Sequence, residues 1–296
     1  MAIVTGAGRG IGRAYARLLG ERGATVVVND LGSAIDGTGA DAAPAAAVAE
    51  EIIEAGGTAL ADTSDIATVA GAEALVGHGI DQYGRVDILI NNAGIMRWAE
   101  LADVTDDDLQ QHLAVHVTGS FSTARAAWPH MAGANYGRIV MTTSAGMLGL
   151  PNNVAYATAK GAVVGLARSL ATAGRGHGIK VNLIAPAAFT RMAGSAPGSA
   201  DMAPELVAPM AAYLAHEDCP VTGEMYTAGA GRYARMFIAE TDGYVHDGSP
   251  PAIEDVARRW EMINDDTSFQ IPADLMAWSA KFTSHLSDDR TGTKQR

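Results

Sequence analysis

The stretch Thr5-Gly6-Ala7-Gly8-Arg9-Gly10-Ile11-Gly12 lies between an apolar, β-branched run, Ala2–Thr5, and a helical pattern, Ile11–Glu21. Glycines alternate through it. Without a Cβ, glycine lets a strand turn directly into a helix and lets the backbone come against a diphosphate. That anion would sit on the free N–H groups and positive end of the helix. A tight strand–helix turn alone also calls for glycine, so the surroundings must decide between the two readings.

Outward from the motif, short apolar runs alternate with helical patterns. The runs are Ala2–Thr5, Thr25–Asn29, Thr58–Ala61, Val86–Asn91, Arg138–Thr142, Lys180–Ile184 and Met225–Thr227. Helical periodicity marks Ile11–Glu21, Ala45–Ala55, Asp106–Met131 and Val154–Ala173. This alternation predicts an α/β fold, a doubly wound parallel seven-stranded sheet of the Rossmann type, over residues 1–230. Residues 231–296, richer in aromatics, methionine and charge, read as a C-terminal extension packed on the core or on a partner subunit. Helical promise in it lies at Ala252–Ile263 and Pro272–Phe282, and its last eight or so residues are expected to fray. Two stretches break the rhythm: Gly32–Pro44, a loop inserted after the second strand, and Gly194–Pro204, which has no regular pattern.

Asp30 ends the second strand, eighteen residues after Gly12. A carboxylate there accepts bonds from ribose hydroxyls and repels a 2′-phosphate, which favours NAD over NADP. Arg9, a cation in the glycine loop, pulls the other way; the direct contact of Asp30 is given the greater weight.

Bulk composition narrows the function classes. With 48% hydrophobic and 18% charged residues, the 296-residue chain can bury a full core. Its net charge of −12 argues against a nucleic-acid partner, and no cationic cluster suggests a membrane surface. No apolar run reaches eighteen residues and no signal-peptide pattern opens the chain, so a cytoplasmic location is expected. One cysteine, Cys219, fits a reducing compartment.

Tyr156-Ala157-Thr158-Ala159-Lys160 sits in a helical pattern, and a spacing of four puts phenol and ammonium on one face. A nearby cation is expected to pull the phenol down from its ordinary value of about 10. Ser144 follows the run Arg138–Thr142 and offers a neutral donor for a carbonyl oxygen. Asn91-Asn92-Ala93-Gly94 follows the run Val86–Ile90. Both lie at C-terminal strand ends, where open α/β sheets bind ligands. His112 and His116, four apart, could in principle serve a metal. No third ligand is near in sequence and hydride transfer needs none, so no metal is expected.

Glycine loop, Asn-Asn-Ala-Gly turn, Ser144 and the Tyr-x-x-x-Lys pair, in this order, resemble the short-chain dehydrogenase/reductase family over residues 2–230. The resemblance implies Ser144, Tyr156 and Lys160 as catalytic residues, with Lys160 also on the nicotinamide ribose. It implies that Gly6, Arg9, Gly10, Ile11 and Gly12 line the cofactor, that Asp65 and Ile66 flank the adenine, and that Asn91, Asn92, Ala93 and Gly94 support the dinucleotide. Tyr156, Lys160, Pro186 and Thr190 complete that set, Asn182–Pro186 being the nicotinamide-side segment. Two departures stand out. The family's usual fourth catalytic residue, an asparagine, is His116 here. Ser144 precedes Tyr156 by twelve residues where thirteen is common; Thr143 would restore the count, but the strand pattern favours Ser144.

A narrower similarity rests on Asn29-Asp30-Leu31-Gly32 with its insertion, His116, Arg125-Ala126-Ala127-Trp128, Ile184-Ala185-Pro186 and His216-Glu217-Asp218-Cys219. These resemble the (3R)-hydroxyacyl-CoA dehydrogenase domains of multifunctional β-oxidation enzymes, also classed with 17β-hydroxysteroid dehydrogenases. The expected activity is NAD-dependent interconversion of a secondary alcohol and a ketone, with a small-molecule substrate. An acyl-CoA comes first and a steroid-like alcohol second; a redox-silent NAD-binding scaffold is the alternative from another class. The phosphates of CoA would need local cations such as Arg97 or Arg191, Met192 would line an apolar site, and Gly194–Pro204 would be a lid. A homodimer or homotetramer is expected.

Overall fold

A computed structural model describes residues 1–193, 200–248 and 250–288 of the chain. The elements run β1 (Ala2–Thr5), α1 (Gly10–Glu21), β2 (Thr25–Asn29), α2 (Ala43–Glu54), β3 (Thr58–Asp62), α3 (Val69–Tyr83), β4 (Ile88–Asn91) and α4 (Asp106–His112). They continue with α5 (Gly119–Gly133), β5 (Gly137–Thr142), α6 (Val154–Gly174), β6 (Ile179–Pro186), α7 (Ala208–Leu214), β7 (Met225–Gly229) and β8 (Arg232–Met236). Strand order in the sheet is β3-β2-β1-β4-β5-β6-β7-β8, with β1 to β7 parallel.

Strands such as β1 and β5 are buried at every position, because helices cover both sheet faces and leave neither free for polar side chains. On one face Val4, Val26 and Val28 pack with Tyr15 and Leu19 of α1, Ile52 of α2 and Leu214 of α7. Alternate residues of the same strands, Ile3 and Val27, face the other way with Leu75 of α3, Met131 of α5 and Val163 of α6. The strand order reverses between β1 and β4, and this is where such sheets open a ligand crevice.

Two expectations are corrected. The sheet has eight strands, not seven: after β7 the chain turns at Ala230 (φ +50) and Gly231 (φ +70), and β8 returns antiparallel. Positive φ at successive residues is the geometry of a tight hairpin, which an Ala-Gly pair signals only weakly. The helix expected over Asp106–Met131 is broken by a π-helical segment, Leu113–Thr118. The extra residue per turn there redirects two histidines, a common device at functional sites.

Contacts divide the chain into Met1–Met236 and Phe237–Arg296. The hairpin strand β8 closes the first unit. Within the second, β9 (Glu240–Thr241) pairs with β10 (Phe269–Gln270), and helices form at α8 (Ile253–Arg258), α9 (Trp260–Ile263) and α10 (Leu275–Phe282). None of its described residues is fully buried. Residues 194–199 of the expected lid, and the eight terminal residues expected to fray, lie outside the described residues. Among those described, no helix is long and apolar enough to cross a membrane.

Candidate active site

Thr5 ends β1 and ties the glycine loop to the loop after β4. Its hydroxyl accepts from the Asn92 and Ala93 amides at 3.0 and 3.1 Å, while the Asn92 side chain donates to the carbonyls of Thr5 and Gly6. Gly6 sits at φ +62, and a Cβ on it would lie 2.7 Å from the Ala93 Cα. Gly10 opens α1, whose first turn carries no side-chain cap, so its N–H groups face open space beside Thr190. An uncapped helix end behind a glycine loop fits a diphosphate. The buried Thr142 hydroxyl, without a partner among the described residues, adds a polar group to the same cleft.

Asp30 is held from both sides. Its carboxylate accepts from the Gly8 amide at 2.8 Å and the Gly32 amide at 2.7 Å, which fixes it between the glycine loop and the insertion. The Arg9 guanidinium donates to the Ser33 carbonyl at 3.3 Å. Burial, then the Arg9 charge, holds the Arg191 guanidinium below its ordinary value, with Asp30 acting against both.

At the other end of the cleft, β5 runs out at Thr142. Thr143 is buried, and its hydroxyl is engaged in donating to the Lys160 carbonyl at 2.8 Å. Ser144 caps the following turn through the Gly146 amide (3.0 Å) and stands beside Tyr156, both groups lying against Gly146. The Lys160 ammonium is buried, donates to the Thr142 carbonyl at 2.8 Å, and stands 5.6 Å from the centre of the Tyr156 ring. Two further N–H groups of that ammonium remain for a ligand. The expected lowering of the phenol does not occur. Burial pushes Tyr156 above its ordinary value and the Ser144 hydroxyl offsets only part of this. The same burial lowers Lys160 to about 7, so the cation is itself weakened.

His116, on the π-helical segment, is buried with Nε2 3.0 Å from the Ile95 carbonyl and 3.3 Å from its amide. Nδ1 has no partner among the described residues. The ring packs so closely on Gly94 that a Cβ there would lie 2.5 Å from it. Among the described residues no group of three or more His, Cys, Asp or Glu is arranged for a metal.

Apart from Asn91 and residues 182–185, the cofactor-lining and catalytic residues proposed from the sequence line one cleft of about 480 Å³. Asn91 is buried between the Ser120 carbonyl and the Thr123 hydroxyl, and Asn182 braces the β6–β7 crossing through Val221 and Glu224. Sequence reading missed an apolar part of the cleft lining. Ile35 of the insertion, Met96, Trp98, Val115 and Leu150 line it beside Met192. The insertion is strapped on by the Met96 amide to the Ile35 carbonyl (2.9 Å) and by Arg97 to the Asp36 carbonyl (2.8 Å). Arg97 is not a free cation for CoA: its guanidinium is paired with Asp107 at 3.0 Å and Asp108 at 3.2 Å. Arg191 lines the cleft but feels Arg9 and Asp30, at the dinucleotide end.

A family model described as short chain dehydrogenase matches residues 1–197. A Mycobacterium tuberculosis protein that carries the description short-chain type dehydrogenase/reductase is 41% identical over 267 residues, 89% of this chain and 93% of its own length. The peroxisomal multifunctional enzyme type 2 of Mus musculus is 40% identical over 276 residues, 91% of this chain. This chain spans only 37% of that relative's length. Among solved structures, full-length peroxisomal multifunctional enzyme type 2 from Drosophila melanogaster superposes with a TM-score of 0.82 at 30% identity, covering 98% of this chain and 50% of the other. A short chain dehydrogenase from Mycobacterium avium gives 0.79 at 33% identity, covering 90% and 96%.

Proposed function

The chain belongs to the short-chain dehydrogenase/reductase family, enzymes acting on CH–OH groups with a nicotinamide dinucleotide, and on that premise we propose that it oxidises a 3-hydroxyacyl-CoA with NAD. The observation that carries the proposal is the meeting of Ser144, Tyr156 and Lys160 in one cleft with an uncapped helix end and a tethered carboxylate. When bound, the nicotinamide supplies the hydride acceptor. The glycine loop, Asp30, Asn92 and Lys160 would hold the dinucleotide.

The chain's own groups do the proton work. Ser144 donates to the substrate oxygen and sets its distance from the phenol. Tyr156 takes the carbinol proton in oxidation and returns it in reduction. Lys160 supplies the positive charge that a phenolate needs in a site without bulk water. His116, the ring beside Tyr156, is assigned the holding of a water that passes protons to solvent.

The tethered Asp30 supports NAD. Its tethered carboxylate would repel a 2′-phosphate, and Arg9 is engaged by the Ser33 carbonyl. Asp30→Ala should cut the preference for NAD over NADP by about tenfold or more, since one unscreened like-charge repulsion is worth roughly 1–2 kcal/mol at such sites. An unmutated enzyme that already prefers NADP would overturn this reading.

Similarity to multifunctional enzymes over nine-tenths of the chain supports the acyl-CoA substrate. One observation favours a neutral, bulky alcohol instead: Arg97 is consumed in ion pairs, and the cleft lining includes the apolar Ile35, Met96, Trp98, Val115 and Leu150. The two readings part in kcat/KM for a 3-hydroxyacyl-CoA, the same acid without CoA, and a 17β-hydroxysteroid. If CoA adds nothing and the steroid is preferred by about tenfold, some 1.4 kcal/mol, the acyl-CoA assignment fails.

A further inference from the structure

His112 closes α4 and is fully buried, yet the mechanism above gives it no task. Its contacts are unusually complete. Nδ1 lies 2.7 Å from the Asp108 carbonyl, which can only accept, so Nδ1 carries the proton. Nε2 is then bare and accepts from the Arg97 amide at 3.3 Å. The imidazole is thereby locked in one neutral tautomer, with a backbone group on each nitrogen. It stacks on His116, centroids 5.9 Å apart and planes within 14°. Both rings meet Tyr156 edge to face, at 6.2 Å for His112 and 5.5 Å for His116.

The two imidazoles thus form a layer between Tyr156 and the cleft wall Gly94–Arg97, His116 gripping Ile95 and His112 gripping Arg97. Arg97 continues outward to Asp107, Asp108 and the insertion. The π-helical segment starts at the residue after His112, and the widened turn brings both rings to the same side.

We propose that His112 is a positioning residue for Tyr156, holding the phenol ring and the wall at Arg97 in register through an uncharged, tautomer-locked imidazole. It rests on Tyr156 as the proton-transfer group. Protonating His112 would put an N–H against the Arg97 amide, break that bond and release the wall. The new charge would face Arg97, Lys160 and His116, with the Asp108 carbonyl and carboxylate on its favourable side. Burial chiefly holds the group below its ordinary value, helped by the charges of Arg97 and Lys160, so the change falls on the acid side of 6.5.

Ketone reduction isolates this step. There Tyr156 donates its proton, and burial keeps it protonated across the acid range. Lys160, at about 7, gains its charge on acidification, which favours donation by Tyr156, so a loss of rate on the acid side belongs to the histidine layer. The wild-type kcat for reduction should fall on the acid side of the ordinary histidine value. His112→Gln, which keeps a donor and an acceptor but does not titrate, should stay within about threefold of wild type at neutral pH and lose less rate on acidification. His112→Phe, which keeps the stack and loses both hydrogen bonds, should drop kcat by about tenfold or more with dinucleotide affinity, read by fluorescence, within about twofold. An acid limb in His112→Gln equal to that of wild type, or wild-type kcat in His112→Phe, would overturn the proposal. Should His112→Phe not fold, the pH profile of His112→Gln decides. Tyr156→Phe is run in parallel: if it stays active, the premise about Tyr156 fails, whatever the His112 variants do.

Discussion

Tyr156→Phe should lose at least about a thousandfold in kcat, the upper part of what a positioned acid/base contributes, while dinucleotide affinity changes by less than about twofold. The expectation follows from what the substitution leaves in place. The side chain is half-buried, and its contacts with His112, His116 and the Lys160 ammonium are made by the aromatic face and edge, which phenylalanine reproduces. Only the hydroxyl disappears. Ser144 cannot take over, since an aliphatic alcohol is far too weak an acid to give up its proton at working pH. Lys160 points at the Thr142 carbonyl, on the other side of the phenol's task. Steady-state kinetics together with fluorescence titration of the dinucleotide would decide. Activity above about a tenth of wild type would remove Tyr156 from its role.

What could be read in the sequence follows a physical line. The glycine loop is legible because backbone conformation at φ > 0 and close approach to Ala93 restrict residue type at single positions. Asp30 is legible because a strand end at a fixed distance from the loop has one place to go. The choice between Thr143 and Ser144 is an alternation argument, and the structure turns Thr143 to the Lys160 carbonyl and Ser144 to Tyr156. The wall of the cleft has no such signature. Ile35, Trp98 and Leu150 stand in irregular segments whose course depends on tertiary straps, among them the Arg97 bonds and the Ala99–Asn153 bridge. His112 is hidden for a different reason. Helical spacing of four gives two histidines on one face, which reads as a metal pair or an accident; their stack against Tyr156 depends on the π-helical widening, and no periodicity shows that. Pairwise electrostatics misled in the same way: the Tyr–Lys spacing suggests a lowered phenol, whereas burial, invisible in spacing, dominates both groups.

Lys160→Met should abolish turnover, by about a hundredfold or more, and at the same time make the fold more stable at acid and neutral pH. Burial brings the Lys160 ammonium from 10.5 to about 7 in the native state. Between these values the unfolded chain binds a proton that the native chain does not, so wild-type stability rises with pH across that window. Below about 7 both states are charged and the native state carries the whole desolvation cost, at most about 5 kcal/mol at 1.36 kcal/mol per unit. Methionine has a similar length and no charge, and so removes that cost. Against it stands the Thr142 carbonyl, which loses a donor at 2.8 Å, roughly 1–3 kcal/mol for a buried acceptor. The net gain should be about 2–4 kcal/mol near pH 6, and it should shrink as pH rises through 7 toward 10. Urea midpoints of both proteins at pH of about 6 and about 9.5 test this directly. A stability difference that is the same at both values would mean the ammonium is not held in the native state at a cost. The activity loss would then need another cause than removal of the charge that Tyr156 requires.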